Sequence, residues 1–497
     1  MSELNQAGLN ADKLVSLGQK QTAVKFKAFC KEDNVESVLV QELSPVVNTF
    51  QAADGKVSYS GKITAKLLVE EQNGGVGGMS YTADFSDEFF AAAITENSAV
   101  LPRCDILDFS TKVDGAEVSV NAVIATDFLA VNQVNYPLFD GDGVICKRNK
   151  IPVGTVTARV DEVFSAGAEL EVKADVARVL SSQSFAVIDS AEVKDKVLTV
   201  TGECVLNLSY LTTESQVPQN AYFTYEFTQE IAVEADGMPF VFADVRATKI
   251  HMEIEENAQE SVFMAESLIV LRGIIVEETE REVVVDCFSP TNATNVAAST
   301  AESTVIKHMC ALNSAVEEKI VTAIPSNAVL SGFFGGNVSV VNAMTVEGGV
   351  DVSGVVSGNV IYTVDDKVKS EKTDVPFNTV LTCDAANVGD GVYVNAAIRM
   401  MDATLDGGEA TVKAELVFSV RLTSTRSSAF VSSVDIGEVE NADRGAIEVC
   451  LAFKGDNLWE VAKSLKMSVE DILQLNPELT DPLDRDQKLL IYHTLQA

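Results

Sequence analysis

Positive charge is scarce in this sequence. Its 497 residues include 37 Lys and Arg against 73 Asp and Glu, a net charge of −36. Nucleic acids and anionic membranes both need a basic footprint on their partner, so neither fits as a ligand. Such acidity gives a soluble, self-repelling surface; its sharper use would be a face that docks a basic partner. Histidine is nearly absent, with His251, His308 and His493 isolated from one another in sequence. Each reads as a strand-surface or core histidine rather than a ligand. The eight cysteines lie far apart and form no C-x-x-C pair. That spacing argues against a disulfide framework or a zinc knuckle, and they read as small buried hydrophobes in a reducing compartment.

Other absences narrow the function classes. No stretch reaches the ~18 apolar residues of a membrane span, so no membrane insertion is expected. The first residues, "MSELNQAGLNADKLVSLGQKQ", have no basic segment followed by an apolar run, and a cytosolic protein is expected. G-x-S-x-G, H-E-x-x-H and P-loop signatures are all missing, so the chain is expected to be no enzyme and to need no cofactor or metal. "FDGDGV" (139–144) lacks most ligands of a calcium loop and reads as a turn between repeats. "NGGVGG" (73–78) has no following helix and reads as a hairpin loop, not a phosphate cradle.

What is present is alternation. "KVSYSGKITAKLLVEE", "VLTVTGECVLNLSYL" and "GVDVSGVVSGNVIYTV" alternate apolar and polar residues, the period of half-buried antiparallel strands. The three strings align on Gly61, Gly202 and Gly354. Phe85, Phe227 and Phe377 then follow in "YTADFSDEF", "FTYEFTQEI" and "TDVPFNTVL". "DGAEVSVNAVIATDF" from Asp114 matches "DGGEATVKAELVFSV" from Asp406, each opening on the Asp-Gly of a tight hairpin, and "NAQESVFMAESLIVL" is a looser middle copy. Upstream, "VKFKAFC" from Val24 is matched with "VIKHMC" from Val305. The expected fold is therefore mainly β. Three β-rich repeats of ~140 residues would each hold a core. Expected bounds are an N-terminal segment 1–22, repeats at 23–143, 144–290 and 300–425, a small-residue polar linker 426–445, and a terminal domain 446–497. One scaffold used three times suggests a binding or assembly surface rather than one active site.

After the linker the period changes. "IEVCLAF" is a short strand, and Asp456 or Asn457 can cap a helix whose Leu458, Val461, Ala462 and Leu465 fall on one face. Ser468 and Asp471 form a capping-box-like start to a second helix, which Asn476-Pro477 ends. "QKLLIYH" closes a β-α-α-β unit. Trp459, the only tryptophan, lies beside the apolar stripe. It is either core of this unit or an aromatic anchor for a partner.

The stretch "FKGDNLWEVAKSLKMSVEDILQLNPEL…QKLLIY" resembles a LysM domain. Asn457 stands where that family usually has Thr, and Asp486 where it usually has Gly. The resemblance implies a shallow groove for N-acetylglucosamine-containing glycans such as peptidoglycan, lined here by Gly455, Asp456, Asn457 and Leu458 and by Asn476, Pro477, Glu478 and Leu479. Trp459 joins these as a candidate contact. Three β repeats before a terminal LysM unit resemble the SPOCS-domain, SipL/SpoVID-like, spore coat morphogenetic proteins. That resemblance implies a non-enzymatic scaffold in the mother-cell cytoplasm, at the forespore surface, that helps the coat encase the forespore. It further implies docking through the LysM unit to the ATPase of the coat basement layer. Linked repeats would favour multivalent contact and self-association.

Overall fold

The computed structural model describes residues 8–31, 33–253, 260–406, 409–439 and 447–492. His493, Gly407 and Gly408 lie outside them. The first module comprises β1 (Gly8–Phe29), β2 (Val35–Ala53), β3 (Lys56–Glu71), β4 (Val76–Phe90), β5 (Val100–Asp114) and β6 (Glu117–Pro137). The second comprises β7 (Ile145–Val172), β8 (Val176–Lys194), β9 (Val197–Thr212), β10 (Gln219–Ala232), β11 (Met238–Glu253) and β12 (Ser261–Phe288). The third comprises β13 (Asn292–Val321), β14 (Val329–Val346), β15 (Gly349–Val364), β16 (Lys367–Thr382), β17 (Gly391–Asp406) and β18 (Glu409–Val439). The chain ends in β19 (Ile447–Ala452), α1 (Leu458–Leu465), α2 (Val469–Leu475) and β20 (Gln487–Tyr492).

All three modules share one topology. Strands two, three and four form one antiparallel sheet, while the last strand lies between the first and fifth in the other. In the first module Val24, Ala122 and Ile124 of one sheet pack against Val57, Ile63 and Phe85 of the other. The second and third modules have cores of their own. Alternation along each strand sends one set of side chains into this interior, which is the period the sequence displayed.

The glycine and phenylalanine anchors are cross-strand partners. Gly61 sits opposite Phe85, Gly202 opposite Phe227 and Gly354 opposite Phe377. A Cβ at these glycines would lie 2.5, 2.6 and 2.7 Å from the facing ring and 2.2–2.3 Å from a backbone oxygen on the neighbouring strand. Each glycine leaves room for the ring across the ladder, so the pair is retained as a unit in all three copies. Turns follow the same logic. Asp195-Lys196 and Asp365-Asp366 all adopt positive φ, 49–61°, the geometry of a tight two-residue hairpin turn.

Three sequence expectations are corrected by the strand register. Residues 8–22 are no separate segment: they form the first part of β1, paired with β6. Residues 426–439 are no linker but continue β18 along β13, with Phe430 and Val431 buried at 1% exposure. The upstream match also shifts. Val24 faces Ala122 as Val316 faces Ala414, so Val24 corresponds to Val316 rather than Val305. Both edge strands carry a bulge, at Ser16/Gly18 and Ile306/His308, and a bulge reverses which residues face inward.

The modules pack on one another. One apolar cluster joins Leu14 and Leu101 of the first to Phe240 and Ile274 of the second and Ile306 of the third. A second gathers Leu39 and Leu68, Leu180 and Leu211, and Phe334 and Ile361. A third holds Leu9, Ile151, Val283, Ala301 and Phe430. Where the modules converge, Arg103 of β5, Asp244 of β11 and Asn395 of β17 line one cavity of about 100 Å3. Arg103 donates to Asn395 Oδ1 at 2.7 Å. Buried Arg421 donates to the Val241 carbonyl and stacks 4.1 Å from the Phe242 ring centroid.

Candidate binding site on the C-terminal domain

Local chemistry fixes the terminal unit. Asn457 caps α1, its side chain accepting from the Trp459 amide at 2.9 Å, and Ser468 caps α2 by accepting from the Asp471 amide at 3.0 Å. Leu458, Val461, Ala462 and Leu465 then meet Ile472, Leu483, Leu489 and Ile491 in a small core. A first loop (453–457) and a second (476–486) lie side by side. Gly455 N donates to Leu483 O at 2.8 Å, Leu483 N to Asp456 O at 2.9 Å, and Leu458 N to Asp481 Oδ1 at 3.0 Å. Lys454 N donates to Asp486 Oδ1 at 2.8 Å. The departures at Asn457 and Asp486 are thus structural: one caps a helix, the other ties the two loops together.

The nine candidate contact residues separate into two groups. Gly455, Asn457, Pro477 and Glu478 are exposed, with Asp456 and Leu479 half-buried. Leu458, Trp459 and Asn476 are buried. Asn476 donates to the carbonyls of Ile472 and Leu490 and accepts from Leu490 N, which anchors β20. A surface the groove expectation did not include lies on the two-stranded sheet. Val449, Leu451 and Leu490 are exposed there, with Phe453 exposed just beyond β19, and the alternation of "VCLAF" was its available sequence signal.

Trp459 is neither plain core nor a free anchor. It is 6% exposed, and its ring meets Phe288 of β12 edge-on at 5.3 Å between centroids. Its Nε1 donates to Asp286 Oδ2 at 2.7 Å. Lys463 Nζ reaches both oxygens of the same carboxylate at 2.8 Å. Ile145 of β7 packs beside them. The terminal unit is therefore docked on the second module through a desolvated aromatic and a shared carboxylate. No local pattern marks Asp286 or Phe288, since the contact spans 173 residues.

Burial alone would raise the Asp286 pKa, but the Lys463 ammonium and the Trp459 N–H outweigh it and hold the carboxyl below its usual range. A depressed folded value means this contact contributes above the unfolded carboxylate pKa, ~3.9, and is lost as pH falls through the lower folded value. Emission from the single tryptophan should therefore stay constant from neutrality to about pH 4 and shift to the red only below it. In an Asp286→Asn variant that acid step should disappear from a fluorescence titration.

No catalytic constellation emerges among the described residues. One cleft of about 620 Å3 between the first two modules is lined by Asp12, Thr95, Asn97, Ser98, Gln133, Thr157 and Arg159 among others, and its Ser98 hydroxyl pairs with Thr95. Burial pushes the Cys204 and Cys310 thiols up to about 12 and Cys287 to about 11, so they are poor nucleophiles. Asp140–Gly143 is a turn between modules and residues 72–75 turn β3 into β4. No described helix is long and apolar enough to cross a membrane.

Fold and site together define a chain of three β modules with a docked terminal βααβ module. Comparison with known families agrees. Residues 334–406, in the third module, match the family described as SipL, SPOCS domain, and residues 454–491 match the LysM domain. The chain thus carries a SPOCS domain and a C-terminal LysM domain, both of non-catalytic binding type, and fits a sporulation-related protein of peptidoglycan-binding type. No curated protein and no solved structure gives a match.

Proposed function

We propose that this chain is a non-enzymatic scaffold of spore coat assembly, acting in the mother-cell cytoplasm at the forespore surface, where it helps the coat encase the forespore. Its LysM domain would dock the ATPase of the coat basement layer. The observation that carries this reading is the pairing of a SPOCS domain with a LysM domain whose loops stay exposed while its tryptophan is spent on the second module. Gly455, Asn457, Pro477 and Glu478 are exposed to a partner, and the exposed Val449, Leu451 and Phe453 add apolar area of the kind protein interfaces use. A net charge of −36 favours a basic face on that partner. Immobilised full-length chain should retain the purified ATPase, and Glu478→Arg should weaken retention roughly tenfold, about 1.4 kcal/mol. Unchanged retention would remove this edge from the site.

The alternative is a peptidoglycan anchor, motivated by the LysM match itself. Phe453, at 59% exposure beside the first loop, is the aromatic available to stack on a sugar. Sedimentation of the full chain with purified peptidoglycan decides between the two. The scaffold reading predicts that the chain stays in the supernatant.

A further inference from the structure

Two residues of β13 and one just beyond β16 meet at the open seam between the two sheets of the third module. They are His308, Cys310 and Cys383. The imidazole and thiol ligand atoms all lie within 4.8 Å of one another. His308 is exposed, Cys310 half-buried and Cys383 buried at 6%. The same seam is fastened on both sides of the cluster. Ser314 and Thr379 hydroxyls pair across it at 2.9 Å. The loop carrying Cys383 is held by the Cys383 amide on Gly348 O, 2.9 Å, and by Lys307 on Asp390. The three donors thus stand on paired backbone rather than on a free loop. Rigid support of this kind is what a metal site requires.

We propose that His308, Cys310 and Cys383 form a zinc-binding site, with the fourth coordination position facing solvent. One imidazole nitrogen and two sulfurs suit a borderline-soft divalent ion and disfavour Mg2+ or Ca2+, which take oxygen ligands. Around Zn2+, with bonds of about 2.0–2.3 Å, tetrahedral ligand atoms stand roughly 3.5–3.8 Å apart, so the cluster closes with a shift of about an ångström. The exposed imidazole gives the ion its path in and leaves room for a water or a partner's side chain as fourth ligand. The first module lacks the site. At the matching positions the first module has Gly18, opposite Phe128 as Cys310 is opposite Val420, and Ala91, whose amide meets Gly55 O as that of Cys383 meets Gly348 O.

The test is titration of the reduced, metal-stripped full-length chain with Co2+, followed by displacement with Zn2+. The expected result is one Co2+ per chain, with the visible bands of a tetrahedral site and the near-ultraviolet charge transfer of cobalt–thiolate bonds. Cys310→Ser or Cys383→Ser should each remove about half of the charge-transfer intensity, and Zn2+ should bleach both features. Because His308 is exposed, His308→Ala should fold normally, keep the charge transfer and shift the visible bands. Should a cysteine variant fail to fold, the histidine variant still decides the matter. Absence of stoichiometric Co2+ binding, or a spectrum indifferent to His308→Ala, would overturn the site. So would a Cys310–Cys383 disulfide that forms in the metal-loaded chain.

Discussion

Trp459→Ala should cost about 3–5 kcal/mol, the usual penalty for truncating a buried tryptophan. The loss falls on the attachment of the LysM domain as well as on its core. Three contacts go together: packing within the helix face, the edge-on meeting with Phe288, and the bond from Nε1 to Asp286. The carboxylate of Asp286 would retain only Lys463 and its own backbone neighbour Cys287. Trp459→Phe separates these effects. It keeps most of the apolar area and leaves a half-buried acceptor without its indole donor, so a smaller loss of about 1–3 kcal/mol is expected. Denaturant unfolding followed by circular dichroism, with amide exchange in α1, reads both. Equal stability of wild type and the alanine variant would mean that the docked geometry does not persist in solution.

The second large effect concerns the repeat signature. Phe377→Ala should destabilise the third module by about 3–5 kcal/mol, because the ring is buried over Gly354 and meets Phe418 at 6.0 Å. Gly354→Ala should fail from the opposite direction. Its new Cβ would come within 2.3 Å of Ser339 O and 2.7 Å of Phe377 Cζ, an overpacking cost of about 1–3 kcal/mol. Combining the two should not restore stability, since the approach to the Ser339 carbonyl is backbone-made and persists without the ring. Thermal unfolding of the single and double variants checks this. A double variant as stable as wild type would show that the ring alone sets the spacing.

Much of this architecture was legible in the sequence because it is written locally. Period-two alternation marks a half-buried strand, and a glycine facing a phenylalanine leaves a pair that alignment can find. The terminal unit was legible from its caps and its helix stripe. What was missed lies where local pattern stops specifying structure. The edge strands β1 and β13 carry alternation without a glycine–phenylalanine anchor, and their bulges hide the true register. Residues 426–439 look like a linker because small and polar residues, four of them serine, make up most of them. Yet "AFV" within that stretch (429–431) supplies Phe430 to a junction of all three modules. The Trp459–Asp286 contact and the His308–Cys310–Cys383 cluster join residues far apart in the chain, and only topology brings them together. Candidate contact residues divided for the same reason. Leu458 and Asn476 follow the family pattern, but their side chains face the core and β20.

The most direct test of the scaffold account is retention of the basement-layer ATPase by the full-length chain, compared with the same chain ending at Val439, before the LysM domain. The account predicts that the full chain holds the ATPase and the shortened chain, though folded, does not. Equal retention by both would place the contact on the β modules and contradict the role given to the LysM domain.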